Sequence, residues 1–306
     1  MLTFAARRVA LAVPVLLAVA TLTFFIMRVA PGGPFDAERR LPAAVQANVE
    51  ARYHLDRPLW QQYLGYMGDL LRGDLGPSFR YPDRTVGELI AFGLPVSLTL
   101  GLAALAVALA IGMPAGVIAA VRQNRTADHL VMGIAMLGVS IPNFVLGPLL
   151  IIAFALHLGW LPVAGWGTWR QIALPALTLG VFYAAFVARL TRASMLEVIR
   201  QDFVRTARAK GLAERAVIGL HALRPALLPV VSYLGPAAAR VLTGSVVVEQ
   251  IFSVPGVGRY FVTAALNRDY TMVLGTALVY STLLVAFNVL VDMAYGWLDP
   301  RIRDVQ

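Results

Sequence analysis

Residues 92–121 read FGLPVSLTLGLAALAVALAIGMPAGVIAAV, without one charged side chain. A helix advances about 1.5 Å per residue and the hydrocarbon layer is roughly 30 Å thick, so about 20 apolar residues make a crossing. Five further runs are predominantly apolar, at 9–27, 130–156, 172–188, 226–248 and 272–295, the last two carrying Arg240 and Asp292. The 172–188 run is the weakest, being short and carrying Pro175, with Trp166 and Trp169 before it as an interfacial anchor. Six such runs outweigh the alternative of buried helices in a soluble protein. The expected fold is therefore all-α: a polytopic integral membrane protein with six transmembrane helices. The first run follows Arg7 and Arg8 as a signal peptide would, but it exceeds the usual apolar region of about 7 to 15 residues, so an uncleaved span is expected.

Composition agrees. The 306 residues are 58% hydrophobic and 14% charged, against about 45 to 50% and about 25% in soluble domains. The net charge of +9 does not mark a nucleic-acid surface, because the Arg residues lie between apolar runs and form no basic groove with interleaved aromatics. Without cysteine there is no disulfide, thiolate metal site or cysteine nucleophile. His54, His129, His157 and His221 are scattered without metal-ligand spacing, and no nucleophile elbow is present. The only lysine, Lys210, stands between Ala209 and Gly211. A phosphate-binding loop needs Gly-Lys-Ser/Thr, so ATP-driven transport would require a motor on another chain.

Cationic loops resist translocation, whereas loops beyond about 60 residues cross largely regardless of charge. With the amino terminus inside, Arg7, Arg8, Arg122, Arg125, Arg189, Arg192, Arg200, Arg205, Arg208, Lys210, Arg215, Arg224, Arg301 and Arg303 all fall on the cytoplasmic side. The short outer loops then carry only Arg170, Arg259 and Arg268, and the long first loop mixes seven Arg with eight acids. Both termini are expected to be cytoplasmic.

Between the fourth and fifth runs, residues 202–229 read DFVRTARAKGLAERAVIGLHALRPALLP. Helix–helix links are usually about 2 to 8 residues, so this segment does more than connect. Asp202 is a candidate N-cap and Gly211 a helix terminus. Phe203, Ala207 and Gly211 recur at i, i+4 and i+8, which suggests one small-residue face that a partner can approach closely, with Arg205 and Arg208 pointing elsewhere. The competing reading is a basic helix lying on anionic lipid. A second helical piece from Ala213 to Leu223 leads to Pro225 at the start of the fifth span, and His221 within it has a structural role in preference to a proton switch.

This segment resembles the cytoplasmic EAA loop of bacterial ABC importer permeases. By position, Arg205, Thr206 and Ala207 fill its first three places and Gly211 its Gly. The acid expected in the first place is Arg205 here, and the later Pro is Arg224; both departures occur in the peptide-transporter branch. RVAPGGPFDAERRLP at 28–42, LLRGDLGPSF at 70–79, RTARAKGL at 205–212, HALRPALLPV at 221–230, NRDYTMVLG at 267–275 and LDPRIR at 298–303 are similar to the B permeases of oligopeptide importers, more than to the dipeptide or nickel members. The resemblance implies a type I importer permease fold in a bacterial inner membrane. It also implies a homologous C permease, two cytoplasmic ATPases using ATP and Mg, a periplasmic peptide-binding protein and a peptide substrate, with no cofactor on this chain. Asp202, Phe203, Arg205, Thr206, Ala207, Arg208, Lys210, Gly211 and Leu212 would couple to the ATPases. The expected division is 1–30 as amino terminus and first span, 31–91 as a periplasmic region, and 92–306 as the permease core, with the coupling loop at about 189–225.

In the first loop, Tyr53, Leu55, Leu59, Trp60, Tyr63, Leu64, Tyr66, Met67, Leu70 and Leu71 recur at three and four residues, predicting an amphipathic helix. It would either help receive the binding protein or pack over the chain's own spans. Arg240 lies inside the fifth span, where an Arg normally faces protein or water. Asp292 is the obvious counter-charge in the neighbouring span, but at about 1.5 Å per residue it sits about 16 Å lower. Glu249 suits Arg240 better in height; the alternative is that Arg240 lines the substrate path. Glu249 opens EQIFSVPGVGRY, in which Pro255, Gly256 and Gly258 predict a turn at the outer face, either a gate element or an ordinary loop. A gradient-driven carrier would place carboxylates midway across the bilayer, which these runs lack, and a membrane hydrolase would need a nucleophile and base.

Overall fold

A computed structural model describes residues 2–29, 56–81 and 83–298, with backbone alone at 2–9, 242–244 and 291–298. The 30–42 part of the first motif, Tyr53, Leu55, Arg301, Arg303 and the Asp292 side chain lie outside the described residues. The described chain is helical: α1 Leu2–Val29, α2 Leu59–Leu71, α3 Val86–Val121, α4 Thr126–Ser140, α5 Asn143–His157, α6 Trp169–Val198, α7 Asp202–Ala209, α8 Glu214–Ala226, α9 Leu228–Ile251, α10 Val257–Leu266 and α11 Tyr270–Leu298. By length and composition α1, α3, α6 and α11 can each cross a membrane, and the bent pairs α4 with α5 and α8 with α9 raise the number to six if each is one span.

The helices begin and end where local chemistry dictates. Thr85 and Glu88 form a reciprocal cap, Glu88 N donating to Thr85 Oγ1 and Thr85 N to Glu88 Oε2, both at 3.2 Å. That cap starts α3 before its uncharged run. Thr168 and Gln171 cap α6 in the same way.

Three expected spans are corrected. The third run is not straight: after Ser140 the chain turns by 106°, and α5 starts at Asn143 behind Pro142. A proline fits the first position of the new helix but not the middle of a continuous one. The fourth run, expected to be weakest, belongs to a 30-residue helix and is the most buried of the four helices long and apolar enough to cross. Arg189 and Arg192 interrupt its hydropathy without interrupting its helix. The fifth begins at Leu228 after a 51° bend, so Pro225 lies inside the preceding helix α8.

Two compact units partition the fold. One joins Leu98–Val254 to Ala286–Gln306, and the other joins Leu2–Ser97 to Pro255–Val285. In the first, α3 and α6 approach through glycine. A Cβ added at Gly112 would meet Ala184 O at 2.5 Å, one at Gly116 would meet Ala188 O at 2.5 Å, and one at Gly180 would meet Ala104 O at 2.7 Å. Lipid tails are as apolar as side chains, so close backbone packing of this kind is what holds membrane helices together. At the α4 end of that unit the buried Asp128 accepts from Arg192 Nε at 2.6 Å, from Arg192 Nη2 at 2.7 Å and from Asn124 N at 2.9 Å.

In the second unit, buried Asp269 accepts from Ser78 Oγ, Arg80 N, Thr271 Oγ1 and Met272 N. It ties residues 78–80 to the start of α11. The predicted amphipathic helix is present as α2, and Tyr63 and Tyr66 pack on Phe24 at ring separations of 5.3 and 5.7 Å. Tyr63 Oη and Thr21 Oγ1 share a hydrogen bond of 2.8 Å. One face of α2 therefore packs on the chain's own first helix, while Leu59, Trp60, Leu64 and Leu71 remain exposed.

Candidate functional site

Between α6 and α8 the chain forms the short helix α7. α7 is only eight residues long, too short to hold itself together in water, so tertiary packing must fix it. Val204 and Ala207, three apart and thus on one face, are buried against Ala120, Met195, Val198, Val217, Ala222 and Ala226. Removing a Val side chain from water is worth roughly 1.5 to 3 kcal/mol, enough to pin one short turn.

Asp202 is the first helical residue and Gln201 the cap, without a side-chain capping bond, which corrects the expected N-cap. The Asp202 side chain is 96% exposed and stands 3.5 Å from Arg205. Thr206 Oγ1 donates to Asp202 O at 2.9 Å. Gly211 ends the helix as expected. Its φ is +78°, Gly211 N donates to Arg208 O at 2.9 Å, and Leu212 N donates to Ala207 O at 3.4 Å. That paired closure is a Schellman motif, with Lys210 at the C-cap.

The expected joint face of Phe203, Ala207 and Gly211 is corrected. Ala207 turns inward with Val204, while Phe203 and Leu212 are 42% and 43% exposed. The outward surface is thus two apolar side chains among Arg205, Arg208 and Lys210. Arg208 reaches Glu214 through Nε at 3.1 Å and Nη2 at 2.8 Å, and this hydrogen bonding holds the Glu214 carboxyl below the usual carboxylate range. The pair is exposed, so it aligns α8 after α7 more than it stabilises the fold. Val204 and Glu214 were missed in the sequence. Val204 is the only aliphatic residue of α7 larger than Ala, and its spacing to Ala207 was the available signal.

The remaining predicted residues do not gather at this site. Arg240 lies exposed on α9, within electrostatic reach of Tyr183 and Tyr233. Near it on the α6 and α9 faces, Phe186 stacks on Tyr233 at 5.8 Å and Arg189 lies 4.8 Å over Phe186. Glu249 is fully buried and accepts from Ser245 Oγ at 2.7 Å. The turn after α9 is made by Ser253, at φ +53°, and not by the glycines. Gly256 caps α10 from an extended backbone, and Pro255 precedes it. A Cβ on the facing Gly93 would stand 3.0 Å from Val257 N, a tighter approach than side chains usually make.

Residues 112–304 match the family described as binding-protein-dependent transport system inner membrane component. The oligopeptide transport system permease protein OppB of Haemophilus influenzae is 49% identical over 99% of this chain and all of its own length. That of Salmonella typhimurium is 51% identical over the same shares, and the dipeptide transport system permease protein DppB of Bacillus subtilis is 48% identical over 94% of each chain. Among solved structures, an inward-facing MetNI methionine ABC transporter chain superposes with a TM-score of 0.56 at 22% identity, over 69% of this chain and 96% of its own. An amino acid ABC transporter gives 0.54 at 16%, over 68% and 94%. With a domain match over more than half its length, full-length relatives at about half identity and a shared all-helical fold, the chain belongs to the binding-protein-dependent transport system inner membrane component family.

Proposed function

We propose that the chain is the non-catalytic B-type permease of an ATP-driven oligopeptide importer, lying with both termini in the cytoplasm. The observation that carries the coupling role is α7: a short helix anchored by Val204 and Ala207, closed at Gly211, and presenting Phe203, Leu212 and a cluster of cations outward. A cytoplasmic ATPase grips this projection. When two such motors close on ATP and Mg, they draw the coupling helices of this chain and a homologous partner permease together, biasing a two-state membrane element. A periplasmic binding protein delivers the peptide, and the Arg240, Tyr233 and Phe186 surface forms part of its path. The full-length oligopeptide relatives support the cargo, while the dipeptide relative at 48% supports a second reading in which the cargo is a dipeptide.

Reconstitution of the assembled complex in vesicles, with its binding protein outside, tests this. Tri- to pentapeptide uptake should require ATP and exceed dipeptide uptake several-fold. Uptake by this chain alone, driven by a proton gradient without any ATPase, would contradict the proposal.

A further inference from the structure

The carboxyl end of α1 carries a charge that transport coupling leaves unused. A terminal Arg on a spanning helix ordinarily extends its charge into water along its own apolar stem. Arg28 instead folds back over Phe24, its Cζ 3.6 Å from the ring centroid, with Nε donating to Gln62 Oε1 at 2.9 Å. Its Nη1 is buried without a hydrogen-bond partner, and so is the hydroxyl of Tyr66, whose ring stacks on the same Phe24. Buried donors in this state call for an acceptor.

Both side chains line a cavity of about 340 Å³, which Arg57, Gln61, Asp69 and Asp74 also border. Neither acid satisfies these donors: Asp74 Oδ1 accepts from Gly76 N at 2.8 Å, and Asp69 stands 3.7 Å from the exposed Arg72, outside hydrogen-bond reach of it. The unmet demand in the cavity is therefore for an anionic oxygen, the group that planar guanidinium donors fit best. Beside it, α1 exposes Leu22, Phe25, Ile26 and Val29, and α2 exposes Trp60 and Leu64. That surface suits acyl chains, and a Trp at the end of a span is an interfacial residue.

We infer that this cavity holds the phosphate of a membrane phospholipid from the leaflet at the carboxyl end of α1. Arg28 and Tyr66 donate to its phosphoryl oxygens, and the acyl chains run along the exposed face of α1. The inference is independent of the cargo.

Native mass spectrometry of the purified, delipidated complex, with lipid added back, tests it. Wild-type protein should retain dioleoylphosphatidylethanolamine and not dioleoylglycerol, which has the same chains without phosphate. Arg28→Gln should lower retention about tenfold. Tyr66→Phe removes only a hydroxyl and so keeps the test open if Arg28→Gln folds poorly; it should lower retention about threefold. Equal retention by wild type and Tyr66→Phe, or equal binding of dioleoylglycerol, would overturn the inference. So would displacement of the lipid by an equimolar amount of inorganic phosphate, since the site would then serve a free anion.

Discussion

Replacing Gly211 with Val is expected to leave membrane insertion intact and to lower peptide-stimulated ATP hydrolysis by the assembled complex at least tenfold. Space is not the issue, because a Cβ at Gly211 meets nothing within 4 Å. Conformation is. At φ +78° an L side chain costs about 1 to 2 kcal/mol, and a β-branched one more. The Schellman closure would open, and Lys210 and Leu212 would leave their positions after the helix. Asn tolerates the left-handed backbone, so Gly211→Asn should retain most of the stimulation. A Val variant stimulated like wild type would remove the coupling role from this turn.

Asp128→Ala is expected to cost about 3 kcal/mol, because it leaves the Arg192 guanidinium partly buried beside an empty acceptor. Asn124, held at φ 61° by its hydrogen bond to Asp128, loses its restraint as well. Thermal unfolding of the purified protein in detergent should show a drop of several degrees. The double replacement Asp128→Leu with Arg192→Met should recover part of it, since swapping a buried ion pair for apolar groups costs less than breaking it. A double variant no more stable than Asp128→Ala would count against this account of the pair.

Much of the fold was legible because hydrocarbon imposes a simple rule on length and polarity. The first, second and sixth apolar runs fall within α1, α3 and α11. What hydropathy misjudges is where a helix stops. Arg189 and Arg192 end an apolar run, yet α6 continues to Val198, and Arg192 is retained by an acid 64 residues away in sequence. Conversely, the run at 130–156 carries no charge but bends at Pro142, where backbone chemistry decides and hydropathy is silent.

The 202–212 segment shows the same division. Gly211 was legible because the left-handed region selects glycine. The inward turn of Ala207 was not, since helical spacing says which residues share a face but not which face is covered. The covering residues Ala120, Met195 and Val217 come from three other helices. The aromatic and cationic surface around Tyr233 and Arg240 was likewise hidden, because α6 and α9 meet only in three dimensions.

The absence of native cysteine makes a single-site measurement possible. Leu212→Cys, paired in the assembled complex with single cysteines on the ATPase surface, should give a disulfide-linked permease–ATPase species on mild oxidation, and Trp60→Cys on α2 should give none. A Leu212→Cys chain that links to no ATPase, or a Trp60→Cys chain that does, would contradict the claim that α7 is the handle on which the motor pulls.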